Sequence, residues 1–576
     1  MISGIRNKFK PKSDDSLGSE KAPIALQSNR KSSGDRTRNR VMIAMMCFTS
    51  IYAVIGGRLV YFGMQDVDTG YTGSVVQSVA ARPSLVDRNG EILATDIKTA
   101  SLYAEPKRII DADETLEMLT SVIPDLDQEQ TYRKLKSGLG FIWLKRQMTP
   151  KIQSQVMALG LPGIGFRPEK RRFYPGGPTA SHIVGLVDTD NKGIAGMERY
   201  VDSHGLSDLR DAGFNSDKDL EPVKLSIDLR VQNVLHDEVS QAVEKYHAIA
   251  GGAVVLDIHT GEVLGMVSLP DYDPNNPFNA LEKDRLNRMS AGVYEMGSTF
   301  KTFTTAMALD EGVVTLHSKF DARNPIRIGG FTIADFHGKR RVLSVPEIFI
   351  FSSNIGTAKM ADAVGTENHK AFLHKIGLLD KMITEIPEVA KPSEPKEWKK
   401  INSITISFGH GVSTTPLQTA MAAAALMNGG KLIQPTFLPR AAEAADATSV
   451  QVVKPQTSEA MRWLFRKNVV EGSGKQAGVP GYDVGGKTGT AEKVVHGRYS
   501  SDKRFNAFLS AFPIRDPKYV VLVILDEPKA QAGQSSAVAG NNAAPTVGAI
   551  IRRSAVFLGV KPDFSPDTQV LAKSLQ

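Results

Sequence analysis

An apolar segment near the N-terminus constrains the fold of this 576-residue chain more than any other feature. Residues 41–57 (VMIAMMCFTSIYAVIGG) carry no charge, and beyond Arg58 the apolar character resumes as LVYFGM. A helix of about 20 apolar residues crosses a bilayer. Residues 41–64 therefore predict one transmembrane helix, with Arg58 close enough to one end for its long side chain to reach the lipid headgroups.

A basic arm precedes this segment and predicts its orientation. Residues 1–40 contain ten Lys and Arg residues but only four Asp and Glu residues. Because basic flanking segments stay on the cytoplasmic side, we expect a cytoplasmic arm and an exported remainder. A cleaved signal peptide and a buried core helix are the alternatives. A signal peptide needs small residues at a cleavage site soon after the apolar run, and Gly56-Gly57-Arg58-Leu59 meets that requirement poorly.

The charge and the cysteine count exclude several classes of protein. The net charge is +8, from 70 Lys and Arg against 62 Asp and Glu, and most of the excess lies in the arm. The rest of the chain is nearly neutral, which argues against a nucleic-acid binder. The single cysteine, Cys47, excludes an intramolecular disulfide framework and a thiolate zinc cluster. No HExxH motif is present, so we expect neither a metal site nor a cofactor.

After the anchor, the sequence pattern changes at about residue 225. Residues 65–224 have the pattern of an irregular strand-and-loop module without evident chemistry. Asn89-Gly90 between alternating apolar residues predicts a hairpin, residues 105–160 are partly helical in pattern, and residues 171–202 are dense in Gly, Pro and Asp. From residue 225 onward, longer regular elements are predicted.

The second region predicts an antiparallel sheet with helices packed on it. Residues 228–245 have the apolar stripe of an amphipathic helix, and Thr415-Pro416 has the pattern of a helix cap and first turn. Two strands come before the helical part and three come after it, an order that favours an α+β fold with a five-stranded antiparallel sheet. The predicted strands are GAVVLDI (252–258), EVLGMVS (262–268), DVGGKTGTAE (483–492), FNAFLSAF (505–512) and YVVLVILDE (519–527).

Ser298-Thr299-Phe300-Lys301 has the form SxxK at the predicted start of a helix. Residues three apart share a helix face, so the Lys301 amine should come within reach of the Ser298 hydroxyl. A serine becomes a good nucleophile when a base takes its proton, and a lysine serves as that base only if burial or a neighbouring cation lowers its pKa. By itself the pattern is also typical of a capping serine and a surface lysine.

Two further motifs could complete a site. In Ser352-Ser353-Asn354, of the form SxN, the hydroxyl and amide could relay a proton and hold a carbonyl. In Lys487-Thr488-Gly489-Thr490, on a predicted strand, Lys and Thr suit a substrate carboxylate, and glycine permits close backbone approach. The backbone N–H groups of Thr490 and Ser298 could form an oxyanion hole. Alone, the SxN motif is also an ordinary turn pattern and the KTGT motif an ordinary strand bend.

The three motifs in this order resemble the signature of penicillin-binding proteins and serine β-lactamases. The chain is most similar to class B penicillin-binding proteins, and among them to the division-specific, septal FtsI type. Ser352-Ser353-Asn354 favours that type over elongation-type relatives, which more often have Asp at the middle position. Segments that carry the resemblance are ARPSLVDRNGEILATD (81–96), RRFYPGG (171–177), GIAGMER (193–199), NRMSAGVYEMGSTFK (287–301), FGHGVSTTPLQTAMA (408–422) and GGKTGTAEK (485–493).

The resemblance implies a division of the chain into five parts. These are a cytoplasmic basic arm (1–40), a transmembrane anchor (41–64), a pedestal or dimerisation-like domain (65–224), a transpeptidase domain of the penicillin-binding and serine β-lactamase fold (225–556) and a C-terminal tail (557–576). The implied location is the bacterial cytoplasmic membrane, crossed once, with the catalytic domain periplasmic.

The implied reaction is D,D-transpeptidation of peptidoglycan stem peptides at the division septum. Ser298 would attack the penultimate D-Ala carbonyl, Lys301 would be the base, Ser352 would pass a proton to the leaving amine, and Asn354 would orient the peptide. Lys487 and Thr488 would hold the terminal carboxylate, beside Gly489 and Thr490. On this view Lys301 must lose its charge and Lys487 must keep its own.

Inhibitors and partners also follow from the resemblance. β-Lactams would acylate Ser298, and no glutamate is obviously placed to deacylate it, which favours a transpeptidase over a β-lactamase. A SEDS-type glycosyltransferase (FtsW-like) and other divisome proteins are the expected partners. The alternatives are an elongation-type transpeptidase, a penicillin-sensing membrane signal transducer and a catalytically silent scaffold. The sensor would need further spans and a cytoplasmic effector domain.

Overall fold

The computed structural model describes residues 30–64, 82–206, 220–495 and 497–564. Two compact units are present, residues 1–77 and residues 78–576. The first part of the predicted cytoplasmic arm, before Arg30, and the last twelve residues of the predicted tail lie outside the described residues.

A single long helix forms the described part of the first unit. It runs from Arg30 to Met64, so it contains the predicted segment 41–64 and extends back into the basic arm. Its window Val41–Arg58 has a mean hydropathy of 1.6, and none of that window is buried against protein. This segment is long and apolar enough to cross a membrane, which supports a membrane anchor.

The second unit begins with a mixed sheet flanked by short helices. Strands β1 (Leu85–Val86) and β2 (Ile92–Ala104) are antiparallel and form a hairpin around the turn at Asn89-Gly90, which confirms that prediction. Beyond the hairpin, β2 also pairs with β3 (Ile142–Met148) and β4 (Ile164–Phe173). The strands are β1 Leu85–Val86, β2 Ile92–Ala104, β3 Ile142–Met148, β4 Ile164–Phe173, β5 Leu186–Val187, β6 Gly193–Ala195 and β7 Val223–Lys224. The α-helices are Ala112–Val122, Gln128–Leu135, Pro150–Ala158, Ser181–Val184 and Gly196–Val201.

A buried network of charges holds this region together. The Arg82 Nε lies 2.9 Å from one carboxylate oxygen of Glu198, and the Arg172 Nε lies 2.6 Å from the other. Arg82 also pairs with Asp202 at 2.7 Å, and Arg172 with Asp96 at 3.1 Å. Because Arg82, Arg172 and Glu198 are almost inaccessible to solvent, removal of one partner would leave an uncompensated charge in the interior.

The remainder of the second unit is an antiparallel sheet between two helical layers. The strands are β8 Ala250–Asp257, β9 Val263–Leu269, β10 Lys319–Asp321, β11 Ile326–Ile328, β12 Phe331–Ile333, β13 Val342–Ser344, β14 Lys431–Leu432, β15 Val450–Gln451, β16 Gly485–Val495, β17 Arg498–Phe512 and β18 Tyr519–Asp526. The α-helices are Leu229–Lys245, Lys301–Asp310, Val345–Ile350, Asn354–Val364, Thr366–Lys375, Lys400–Ile406, Pro416–Met427, Ala442–Thr448, Pro455–Glu471 and Ala543–Ser554.

The main sheet has the order β16-β17-β18-β8-β9, with every neighbouring pair antiparallel. It confirms the predicted five strands and the α+β class. Side chains alternate between the two faces of a strand. On β18, Leu522 packs in the core that contains helix Pro416–Met427, whereas Val523 packs in the core that contains helices Leu229–Lys245 and Ala543–Ser554. Because both faces are covered, β18 is apolar throughout rather than alternating.

The helix ends follow the capping signals in the sequence. Thr415 accepts a hydrogen bond from the backbone N–H of Gln418 at 3.1 Å, and Pro416 occupies the first turn. All twelve residues of this Ala-rich helix are buried. Small side chains let it pass close to the sheet, where it packs against β8, β17 and β18.

Candidate active site

Ser298 lies in a tight turn that continues directly into a buried helix. A 3-10 turn spans Gly297–Phe300, and the α-helix Lys301–Asp310 follows it without a break. Ser298 is half-buried, whereas Lys301 is only 1% exposed. The serine therefore stands at the N-terminal end of a helix that runs into the core, where the backbone dipoles favour negative charge on an oxygen.

The Lys301 amine points to the SxN turn. It donates a hydrogen bond to the backbone carbonyl of Ser352 and lies 3.0 Å from the Ser352 Oγ. Within the described residues, no hydrogen bond joins this amine to the Ser298 hydroxyl, although the sequence spacing predicted that the two groups would be in reach. Burial, and next the positive charge of Lys487, hold the pKa of Lys301 well below its usual value.

Ser352 occupies the turn between helices Val345–Ile350 and Asn354–Val364. Its φ of +56° lies in the left-handed region, which costs energy for a residue with a Cβ. The Lys487 Nζ lies 3.0 Å from the Ser352 Oγ, so two lysine amines donate to the same oxygen. A hydroxyl has two acceptor lone pairs and one proton. With both lone pairs occupied, the Ser352 proton is free to be donated elsewhere.

Lys487 projects from β16, at the position paired with Leu509 on β17. It is 0% exposed, and burial lowers its pKa to about 7. Burial thus opposes the fixed charge that the sequence-based expectation assigns to Lys487. Bringing an anion into the site would raise this pKa, since a nearby opposite charge favours the protonated form.

Thr488 is held by a second hydroxyl that the sequence did not indicate. The Ser473 Oγ lies 2.7 Å from the Thr488 Oγ1, and the backbone N–H of Ser473 donates to the side chain of Asn468 at 3.3 Å. Asn468 also donates to the backbone carbonyl of Gly486 at 2.8 Å. This arrangement fixes β16 against the end of helix Pro455–Glu471 and leaves two hydroxyl groups side by side next to Lys487.

Gly489 permits β16 to approach the nucleophile turn closely. A Cβ at this position would lie 2.5 Å from the carbonyl oxygen of Met296 and 2.7 Å from the Cγ2 of Thr299. The following residue, Thr490, accepts a hydrogen bond of 3.1 Å at its Oγ1 from the backbone N–H of Ala539. The strand edge and the turn that carries Ser298 are therefore in van der Waals contact, and larger residues are excluded there.

Asn354 lies at the start of its helix and is anchored by a neighbouring loop. Its amide donates to the carbonyl of Ala334 at 2.9 Å, and the Ser353 hydroxyl donates to Asp335 at 2.8 Å. Asp335 also accepts the backbone N–H of Ile355 at 2.9 Å. These contacts cap the helix that follows the turn at Ser352, and no sequence signal pointed to Asp335.

A third set of contacts joins the nucleophile turn to the tip of the β16–β17 hairpin. Glu295 accepts hydrogen bonds from the backbone N–H of Gly411 at 2.8 Å and from the Tyr499 hydroxyl at 3.2 Å. The ring of His410 packs edge-on against Tyr499, with 5.4 Å between the centroids. Burial raises the pKa of Glu295, whereas burial and the charge of Lys301 lower the pKa of His410 to about 4.

The structure thus brings Lys301, Ser352 and Lys487 into one hydrogen-bonded cluster and places the turn of Ser298 against Gly489. It also adds residues that sequence reasoning did not single out: Glu295, Asp335, His410, Asn468, Ser473 and Tyr499. Glu295 and His410 lie inside segments already noted for their resemblance, so that signal was available for them. In the part of the chain that the structure describes, no group of three or more His, Cys, Asp or Glu side chains could hold a metal ion.

Two family models match the chain. The model of the penicillin-binding protein transpeptidase domain matches residues 251–550, and that of the penicillin-binding protein dimerisation domain matches residues 77–213. The first covers the main sheet and all the motif residues. The second covers strands β1 to β6 and the buried arginine network.

Relatives match over nearly the full length. A probable peptidoglycan D,D-transpeptidase FtsI of Caulobacter vibrioides is 39% identical over 92% of this chain and 90% of its own. The probable peptidoglycan D,D-transpeptidase PenA of Neisseria gonorrhoeae is 33% identical over 95% of this chain and 97% of its own. The peptidoglycan D,D-transpeptidase FtsI of Escherichia coli is 29% identical over 85% of this chain and 86% of its own. The chain therefore belongs to the class B penicillin-binding proteins of the FtsI type.

Proposed function

We propose that this chain is a membrane-anchored peptidoglycan D,D-transpeptidase that cross-links stem peptides at the division septum through an acyl-enzyme on Ser298. The observation that carries the proposal is the buried cluster in which the Lys301 and Lys487 amines both lie 3.0 Å from the Ser352 hydroxyl oxygen. Two interior lysines whose amines form no hydrogen bond to a carboxylate of the described residues are costly for the fold. Such a perturbed pair is typical of an active site rather than of a stabilising core.

The first half-reaction is acylation. The Ser298 oxygen attacks the carbonyl carbon of the penultimate D-Ala, the bond to the terminal D-Ala nitrogen breaks, and free D-Ala leaves with the proton that it gains. Lys301 is the first candidate for the base, because its pKa is held well below the usual value and a neutral amine can accept a proton. A shift of the amine from Ser352 toward Ser298 would complete the geometry.

Ser352 is suited to deliver a proton to the leaving nitrogen. Its oxygen accepts from two amines, so its own O–H is free to donate. A proton given up by Ser352 would be replaced from either lysine. The relay therefore links the base to the leaving group without a carboxylate or a histidine.

The substrate carboxylate is assigned to the β16 side of the site. Lys487 offers a cation whose pKa of about 7 would rise on anion binding. Thr488 and Ser473 offer hydroxyl groups 2.7 Å apart. Asn354 would orient the peptide amide, and the backbone N–H groups of Ser298 and Thr490 would bind the oxyanion.

The second half-reaction is transfer of the acyl group to an amine of a second stem peptide. That amine attacks the ester carbonyl, the bond to the Ser298 oxygen breaks, and the serine regains its proton. The bond energy of the original peptide is conserved in the ester, so the exchange needs no external energy source and no cofactor. A β-lactam enters the same first step and remains attached as a stable acyl-enzyme.

The membrane topology and the partners are part of the same proposal. The basic arm supports a cytoplasmic N-terminus, and one anchor, crossing the membrane once, would place the catalytic part in the periplasm. Glycan polymerisation would come from a partner, for which a SEDS-type glycosyltransferase (FtsW-like) within the divisome is the expected candidate.

Labelling with a fluorescent penicillin tests the proposal. Wild-type chain should become covalently labelled, Ser298→Ala should not, and mass spectrometry should find the adduct on Ser298. Labelling that persists in Ser298→Ala, with an adduct at another residue, would overturn the assignment. Depletion in the cell should give filaments, whereas rounded cells would indicate the elongation-type alternative.

A further inference from the structure

A groove beside the site has no role in the chemistry described above. It has a volume of about 770 Å³ and lies between helix Pro455–Glu471, helix Val345–Ile350 and the segment before β10. Its walls combine aromatic and charged side chains, among them Phe351, Trp463, Lys319, Lys467 and Glu471. The combination suits a polar chain that carries several charges rather than a purely apolar ligand.

Two residues that line the groove are close in sequence to residues of the site. Phe351 lines it and is followed directly by Ser352, whose hydroxyl belongs to the lysine cluster. Glu471 also lines it and lies two residues before Ser473, whose Oγ is 2.7 Å from the Thr488 Oγ1. One end of the groove is therefore lined by residues that are close in sequence to both sides of the position assigned to the substrate carboxylate.

Helix packing keeps this end of the groove fixed. The rings of Phe349 and Phe465 stack with 5.9 Å between their centroids, and the Lys487 Nζ lies 5.7 Å from the centre of the Phe349 ring. The two helices that form the walls thus share a buried contact just below Lys487. A peptide in the groove would be held at a constant distance from the site.

The chemistry of the reaction indicates what occupies the groove. By microscopic reversibility, the amine that attacks the acyl-enzyme must approach from the side on which the D-Ala nitrogen departed. The body of the second substrate must then extend outward beyond Lys487 and Thr488, and Phe351 and Glu471 of the groove are close in sequence to the Ser352 and Ser473 that adjoin those two residues. We propose, on the basis of the function given above, that this groove binds the acceptor stem peptide.

The charges fit such an occupant. A stem peptide carries several carboxylates together with the attacking amine. Lys319 is exposed. Lys467 is half-buried, forms an ion pair with Glu471 at 2.7 Å and lies over the Trp463 ring at 5.5 Å. At the rim, the Lys339 Nζ lies 4.8 Å above the Phe351 ring. The lysines would bind acceptor carboxylates, and Glu471 would attract the cationic amine before it loses its proton.

A comparison of two acceptors tests the groove apart from the catalytic residues. The double variant Lys319→Glu/Lys467→Glu would be assayed for acylation by a fluorescent penicillin and for acyl transfer from a D-Ala thioester donor. The acceptors are free D-methionine, which is too small to fill the groove, and a synthetic stem pentapeptide with a free side-chain amine. Lys561→Glu, at an exposed lysine outside the groove, is the matched control.

The expected result is selective. Acylation and transfer to D-methionine should stay within about twofold of wild type, while transfer to the pentapeptide falls at least tenfold through a higher KM for that acceptor. An unchanged KM for the pentapeptide, or an equal loss with both acceptors, would overturn the proposal. If the double variant fails to fold, Lys319→Gln/Lys467→Gln gives the same comparison. Failure of the wild-type chain to bind penicillin would instead reject the proposed function.

Discussion

The Nζ of Lys487 lies 3.0 Å from the Oγ of Ser352, although 135 positions separate the two residues along the chain. Because the Lys301 amine reaches the same oxygen, Ser352 is the junction of the whole polar cluster. A change at this hydroxyl should therefore affect the chemistry more than the removal of a neighbouring hydroxyl of equal size.

Ser352→Ala should lower the rate constant of penicillin acylation by about 10²–10⁴-fold, the range typical of a lost proton-transfer group. Ser353→Ala is the matched control, because the Ser353 hydroxyl contacts Asp335 and the backbone N–H of Gly356 rather than the lysines. It removes a helix cap and should cost about 1 kcal/mol of stability. Stopped-flow acylation and thermal melting separate the two effects. Equal acylation rates in both variants would contradict the relay.

Lys487→Met tests the titration of the buried amine. The folded pKa of Lys487 is lowered to about 7, whereas an unfolded lysine titrates near about 10.4. Between these values the unfolded state binds more protons, so Lys487 makes wild-type stability rise with pH across that window. The melting temperature of Lys487→Met minus that of wild type should therefore decrease from pH 7 to pH 10. An increase for Lys487→Met would refute the lowered pKa.

Gly489→Ala should separate β16 from the nucleophile turn. The new Cβ would meet the Met296 carbonyl oxygen at 2.5 Å, which is closer than a carbon atom can approach, so the strand must shift. We expect at least a tenfold slower acylation with little change in melting temperature. Gly140→Ala is the control, since no atom lies within 4 Å of its added Cβ. Normal acylation by Gly489→Ala would show that the strand position is not limiting.

Glu295 and Tyr499 should be energetically coupled. Their 3.2 Å hydrogen bond connects the residue three positions before Ser298 with the tip of the β16–β17 hairpin. A double-mutant cycle with Glu295→Gln and Tyr499→Phe, measured by urea unfolding, should give a coupling energy of about 0.5–1.5 kcal/mol. Additive single effects would mean that the hairpin tip is not held by this contact in solution.

Arg82→Ala should destabilise the dimerisation-domain region by about 3–5 kcal/mol, because Glu198 would lose a buried partner. Hydrogen exchange should accelerate in β2 and β4 while penicillin acylation persists. Arg133→Ala removes an ion pair with Glu129 in which both side chains are at least 75% exposed, and such pairs contribute at most about 1 kcal/mol. Similar exchange rates in the two variants would contradict the structural role of Arg82.

Several elements could be predicted from local sequence because their physical causes are local. The apolar period of residues 228–245, the Thr415-Pro416 cap and the Asn89-Gly90 turn all gave elements that the structure confirms. The same local patterns did not predict that the first helix extends back to Arg30. They also gave no indication of the paired hydroxyl of Ser473 or of the loop carboxylate of Asp335.

The sequence by itself determined which chemical groups are present and that Ser298 begins a helix, since spacing and capping depend on neighbouring residues. Only the tertiary structure decided that the Lys301 amine contacts Ser352 rather than Ser298. The fold likewise decided that burial lowers the pKa of Lys487 to about 7. The physical reason is the same in both cases. Contacts between residues 51 or 135 positions apart arise from the packing of distant elements. The same packing excludes solvent, which makes a buried charge costly. Neither effect can be predicted from a local sequence pattern.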